Sequence, residues 1–131
     1  LVNSGRTYVF TTGLPPAAAG AAAKALEIVQ SDEGEALRAR VLRHARRIVD
    51  ALQERGLGLA GLDPAAPGPI IPILAGSADA ALTLAARLLD AGIYAKAIRP
   101  PTVPPGTSRI RVTVSAAHTD DDIDRLLGAL S

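Results

Sequence analysis

Two residues stand alone in a run of prolines: Arg99 and Thr102, in Ala97-Ile-Arg-Pro-Pro-Thr-Val-Pro-Pro-Gly106. A guanidinium is always charged and forms a two-pronged hydrogen-bond pair with a carboxylate. Arg99 is therefore the first candidate for binding an acidic small molecule; its plainer role is a salt bridge at a strand end. Thr102 offers one hydroxyl, either to a ligand or to its own loop backbone. Thr11 and Thr12 precede Gly13. Paired hydroxyls beside a glycine turn can donate to phosphate oxygens, or can simply close the turn and cap the helix that follows. His44 and His118 are the only histidines, and neither has the spacing of a metal ligand set. Arg109 and Arg111 fit pairing with acids on a sheet face, and His118 fits supporting a helix start.

The elements that would position these groups follow from pattern. Proline fixes φ and excludes helix, so Pro100 to Pro105 form a stiff, extended loop. After it, Arg109 to Val114 alternates, with Arg109, Arg111 and Thr113 on one face and Ile110, Val112 and Val114 on the other. Before it, Ile93 to Ile98 reads as a strand. Ile70 to Ala75 is a short apolar run, hence a buried strand, and Pro72 within it argues for an edge. Ser77 suits the cap of a helix over 78–91 that Gly92 ends, and Thr119 suits the cap of a last helix led by Asp120, Asp121 and Asp122.

Upstream, Pro15-Pro16 and an alanine-rich stretch predict a helix over 16–30. Asp32 with Glu35 suggests the cap of a second helix that runs to Arg55 and stops at Gly56. On that helix Val41, Leu42, Ala45, Ile48, Val49 and Leu52 are expected to share the buried face. Arg40, Arg43, His44, Arg46 and Arg47 are expected on the opposite, solvated one. The fold class is α/β: after Pro69 the order is strand, helix, strand, strand, helix, with helices on one face of a small sheet. The organisation is one domain over 1–131, with an opening and helical part over 1–56 and an α/β part over 57–131.

Composition narrows the functions. The 131 residues are 48% hydrophobic, with two Tyr and one Phe, so Leu, Ile, Val and Ala must build the core. A net charge of +1, and acids interspersed on the arginine-rich helix, give no electrostatic case for nucleic acid. The absence of cysteine removes disulfides, thiol nucleophiles and Cys-ligated metals. No apolar run is long enough to cross a bilayer and no signal peptide is evident, so the expected place is the cytoplasm.

Three segments taken together carry a resemblance. They are Tyr8-Val-Phe-Thr-Thr-Gly-Leu-Pro-Pro16, Gly68-Pro-Ile-Ile-Pro-Ile-Leu-Ala75, and the stretch from Ala97 through Arg99-Pro-Pro-Thr-Val-Pro104 to Ala116-Ala-His-Thr119. In this order they resemble the C-terminal small domain of the α-oxoamine synthases. These are pyridoxal 5'-phosphate (PLP) enzymes of fold type I that condense an amino acid with an acyl-CoA or acyl-carrier-protein thioester. Within that family Arg-Pro-Pro-Thr-Val-Pro is most similar to the 8-amino-7-oxononanoate synthases of biotin synthesis. The resemblance implies that Arg99 holds the amino-acid carboxylate and that Thr102 touches the acyl group. It also implies that Thr11 or Thr12 reaches the PLP phosphate of the neighbouring subunit in a homodimer. Neither Lys24 nor Lys96 lies in the family's glycine-flanked lysine motif, so the Schiff-base lysine is expected in a part preceding Tyr8, no residue of this chain is expected to be catalytic, and the 131 residues alone are expected to be inactive.

Other functions remain open at this level. A glycine- or serine-using α-oxoamine synthase is the nearest alternative, and the resemblance implies that the 5-aminolevulinate synthases and 2-amino-3-ketobutyrate ligases usually differ just before Val103. A strand-helix-strand-strand-helix unit can also serve as a non-catalytic domain that binds a small-molecule regulator. The basic face of the second helix offers a weaker, RNA-binding alternative.

Overall fold

Alanine costs least in a helix, and proline is tolerated at the first helical position because its missing N–H had no partner there. The sequence after Leu14 uses both. The computed structural model describes residues 4–5 and 13–131, with helix α1 at Pro16–Val29 and Pro16 in its first turn. The chain forms two compact units, 1–36 and 37–131.

In the first unit α1 leads into helix α2 (Asp32–Glu54) through a tight corner. Ser31, not Asp32, holds that corner: its hydroxyl donates to Ile28 O at 2.7 Å and accepts from Gly34 N at 3.3 Å. Asp32 already lies within the helix, so the expected cap is displaced by one residue. Gly34 is required there, because a Cβ would stand 2.2 Å from Ile28 O and 2.8 Å from Val29 Cα.

The second unit takes in the rest of α2, strand β1 (Ile70–Gly76), helix α3 (Ala78–Asp90), strand β2 (Lys96–Ile98), strand β3 (Ser108–Thr113) and helix α4 (Asp120–Ala129). The sheet order is β1-β3-β2, with β3 antiparallel to both neighbours. Alternation sets its faces: Ile71, Ile73, Ile110 and Val112 are buried against the helices, while Ile70, Leu74, Arg111 and Thr113 are exposed. Helices therefore cover one face of a small sheet, as the sequence pattern requires. β2 is shorter than expected, because Ile93 is used in ending α3: Gly92 N donates to Leu89 O and Ile93 N to Leu88 O, both at 2.8 Å. Gly92 takes φ +77 in that C-terminal turn.

β1 lies at the sheet edge, which accommodates Pro72. Its outer side meets the 58–60 segment, with Leu74 N donating to Gly58 O at 2.8 Å and Ala60 N to Pro72 O at 2.9 Å. The core joins Ala45, Ile48, Val49 and Leu52 of α2 to the covered strand face, to Leu88 of α3 and to Ile123 and Leu126 of α4.

Two expectations about α2 are corrected. Leu42 is 51% exposed and His44 is 1% exposed. The two flank the buried stripe on opposite sides, and the chain after β3 covers the His44 side. Moreover, the basic face is not simply solvated. Arg40 donates to Ala116 O, Arg46 to Pro64 O and Ala65 O, and Arg47 pairs with Asp124. Arginine stems and forks here tie a helix to loops whose carbonyls would otherwise face water.

Candidate functional site

The loop from β2 to β3 is built as two consecutive turns. In the first, Thr102 N donates to Arg99 O at 3.0 Å and the Pro100–Pro101 bond is cis. Arg99 and Thr102 are therefore the two ends of one four-residue turn. In the second, Thr107 N donates to Pro104 O at 3.2 Å. Pro105 and Gly106 fill its central positions, and Gly106 has φ +79, the pattern of a type II turn.

Arg99 follows the last residue of β2, where Ile98 pairs with Arg109 of β3. Its side chain is exposed, and among the described residues no ion pair involves it. The salt-bridge alternative thus has no partner within the described residues. Thr102 is also exposed, and among the described residues its hydrogen bond is a backbone one, to Arg99 O. Thr11 and Thr12 lie outside the described residues.

The other arginines do not behave as expected. Arg109 donates through Nε to Thr107 O at 3.0 Å and forms no ion pair among the described residues. Arg111 is exposed, opposite Lys96 on one side and Pro72 on the other. The open face of the sheet therefore presents Lys96, Arg109 and Arg111 with no acid among the strand residues beside them. Like charges directly opposed on a sheet are mildly unfavourable, so this face favours anions.

His118 does what the sequence suggests. Its Nδ1 accepts from Ser115 N at 3.0 Å, which holds the turn before α4. Its carbonyl faces His44 Nε2 at 3.1 Å. A carbonyl can only accept, so Nε2 of His44 carries the proton. Nδ1 of His44 is left 3.6 Å from Asp120 Oδ1, without a hydrogen bond among the described residues. The pairing of the two histidines was not foreseen; the signal was His44 standing four residues before Ile48 and eight before Leu52.

α4 begins on a full capping box. Thr119 Oγ1 accepts from Asp122 N at 3.2 Å, and Asp122 Oδ2 accepts from Thr119 N at 2.9 Å. Hydrogen bonds from the Thr119 backbone and hydroxyl to the carboxylate hold the Asp122 carboxyl below its ordinary value.

Two cavities open elsewhere. One of 350 Å³ lies between β3 and α4, with Tyr94, His118 and Arg125 on its lining. The other, of 390 Å³, lies beside β1 and α3. Neither is lined by Arg99 or Thr102. Among the described residues no cluster of His, Cys, Asp or Glu could hold a metal ion, and no helix is long and apolar enough to cross a membrane.

Comparison with known proteins gives the same direction over the whole chain. The family model for aminotransferase class I and II matches residues 1–130. The chain is similar to 8-amino-7-oxononanoate synthase of Geobacter sulfurreducens, 45% identical over 100% of the chain and 32% of that protein. To the enzyme of that name from Aeromonas salmonicida it is 49% identical, over 99% of the chain and 31% of that protein. It thus spans about a third of the length of these curated relatives. Among solved structures, Sphingomonas wittichii serine palmitoyltransferase superposes with TM-score 0.80 at 31% identity, over 98% of this chain and 31% of that one. A serine palmitoyltransferase from S. paucimobilis with bound PLP and myriocin gives 0.79 at 28% identity, over 95% of this chain and 30% of that one. The Francisella tularensis 8-amino-7-oxononanoate synthase gives 0.69 at 26%, over 98% of this chain and 36% of that one. With its elements after Pro69 in the expected order along the chain and a family match along its length, the chain belongs to the aminotransferase class I and II family.

Proposed function

We propose that this chain is the C-terminal domain of a PLP-dependent acyltransferase of the 8-amino-7-oxononanoate synthase type. The observation that carries the residue-level reading is Arg99: an exposed guanidinium at the end of a proline-stiffened turn, with no acid paired to it among the described residues. That donor set suits the carboxylate of an amino-acid substrate. Relatives of that name along the whole chain support L-alanine and pimeloyl-CoA, or the pimeloyl carrier-protein thioester, as substrates. In the overall reaction the alanine Cα bonds to the thioester carbonyl carbon, the thiol leaves, and the carboxylate departs as CO2. The product is 8-amino-7-oxononanoate.

When bound, PLP supplies the electron sink that stabilises charge at the substrate Cα. The residues of this chain bind and orient. Arg99 fixes the carboxylate in a planar fork and so sets how the Cα bonds are presented. Thr102, at the other end of the same turn, would touch the acyl group. Thr11 or Thr12 would donate to the cofactor phosphate of the neighbouring subunit in a homodimer. Lys24 is engaged by Glu27 at 2.9 Å and Lys96 stands on a strand opposite Arg111, so neither suits the cofactor lysine. We assign that lysine to a preceding part of the enzyme and place the enzyme in the cytoplasm.

Product analysis tests the substrate assignment. The complete enzyme, supplied with L-alanine and pimeloyl-CoA, should release 8-amino-7-oxononanoate and CoA. The serine palmitoyltransferase likeness defines the contrary result. Turnover of L-serine with a long-chain acyl-CoA, and none with alanine and pimeloyl-CoA, would move the chain to another α-oxoamine synthase.

A further inference from the structure

Prolines at 100, 101, 104 and 105 remove four backbone donors from the loop that carries Arg99 and Thr102, so few hydrogen bonds can hold it. Its second turn depends on Thr107. That residue places two donors on one carbonyl: its N reaches Pro104 O at 3.2 Å and its Oγ1 reaches the same atom at 2.8 Å. The hydroxyl bond is the shorter of the two. Thr107 O in turn accepts from Arg109 Nε at 3.0 Å. Arg109 is the residue of β3 that pairs with Ile98, directly before Arg99. The far end of the loop is thereby pinned to the same rung of the sheet from which its near end departs.

We infer that Thr107, braced by Arg109, is a positioning residue for the amino-acid site. It fixes the 104–107 turn, and through it the 99–102 turn that presents Arg99 and Thr102. The prolines stiffen each turn internally, but they cannot fix one turn against the other. The hydroxyl on Pro104 O holds the second turn closed and the guanidinium on Thr107 O ties it to β3, and the short 102–104 link carries that position to the turn bearing Arg99. The inference rests on the reading of Arg99 as the carboxylate-binding residue. It adds a residue that touches no substrate and acts through another.

The test uses four variants of the complete, PLP-loaded enzyme: Thr107→Val, Thr107→Ser, Arg109→Met and Arg99→Ala. Valine keeps the β-branched shape and removes the hydroxyl; serine keeps the hydroxyl. Loss of one such hydrogen bond should weaken L-alanine affinity about three- to tenfold in Thr107→Val. Thr107→Ser should stay within about twofold of the parent, a rescue that a purely steric role would not give. Arg109→Met should weaken affinity in the same direction by more than about twofold. Independently of activity, amide hydrogen exchange in Thr107→Val should quicken at Thr102 and Thr107 and stay unchanged at Ile110 and Val112. If Arg99→Ala loses alanine binding while Thr107→Val and Arg109→Met keep it within about twofold, the inference falls and the carboxylate reading stands. If Arg99→Ala also keeps it, both fall. Should Thr107→Val not fold, Arg109→Met decides in the same way, with faster amide exchange at Thr102 and Thr107 separating loss of the brace from loss of one cation of the open face.

Discussion

At the scale of single residues, Thr119 and Asp122 give a direct check on how α4 starts. Thr119→Ala removes the acceptor for Asp122 N and should cost about 1 kcal/mol, read as a lower urea midpoint at unchanged slope. The pH dependence has a definite sign. Asp122 has a lowered carboxyl pKa in the fold, so the unfolded chain binds its proton at a higher pH than the folded chain does. Its contribution is therefore present above the ordinary carboxylate value of 3.8 and is lost as pH falls through the lower folded value. Urea midpoints of the parent and Asp122→Asn should differ near neutrality and converge toward strong acid. Equal midpoints at neutral pH would contradict the capping role. The threonine cap was legible in the sequence because the motif is local: one hydroxyl, three residues and a carboxylate. His44 was not legible in the same way. Its burial comes from the 115–119 turn, far away in sequence, whose carbonyl at His118 accepts a hydrogen bond from the imidazole N–H. His44→Leu keeps an apolar body but leaves His118 O unpaired, and should cost about 1–3 kcal/mol by the same measurement.

Among the elements, α2 shows where periodicity succeeds and where it stops. Val41, Ala45, Ile48, Val49 and Leu52 pack in or against the core as a 3.6-residue stripe requires. Leu42 and His44 flank that stripe at about equal angular distance, and hydrophobicity alone picks the wrong one. Ile48→Ala should cost about 2–5 kcal/mol, whereas Leu42→Ser should stay within about 0.5 kcal/mol of the parent. Chemical denaturation of the pair would show whether the flank assignment is right; a large loss for Leu42→Ser would contradict it. The strands were legible because alternation in 109–114 and the apolar run at 70–75 are strong local signals. β2 came out shorter because Ile93 serves the C-terminal turn of α3, an exchange that local strand propensity does not register. At the α1–α2 corner the decisive contact is equally hidden. Nothing in the sequence marks Gly34 as the place where backbone meets backbone, and Gly34→Ala should disrupt that corner and lower the helix content of the 1–36 unit by circular dichroism.

For the molecule as a whole, the sheet, its helices and its family are carried by signals spread along the full chain, while the site depends on one loop. The prolines read as a stiff, extended loop, whereas residues 99–107 fold into two turns, and nothing in the sequence marks the bonds that hold them. They run through Thr107 and Arg109, one a common turn residue and the other one of twelve arginines. The same holds for the absence of an acid paired with Arg99 among the described residues, which only the assembled sheet reveals. That absence is the basis of the central claim, that Arg99 binds the substrate carboxylate. The most direct measurement is the L-alanine dissociation constant of the complete enzyme, read from the change in cofactor absorbance, for the parent, Arg99→Lys and Arg99→Ala. Removing one partner of a charge-assisted pair in a partly dry site costs about 2–5 kcal/mol. Arg99→Ala should therefore weaken alanine binding by about 30-fold or more, with PLP content and melting temperature unchanged. Arg99→Lys should fall between, since it keeps charge but loses the planar fork. An Arg99→Ala enzyme that melts lower yet binds alanine within about twofold of the parent would show a structural arginine and contradict the claim.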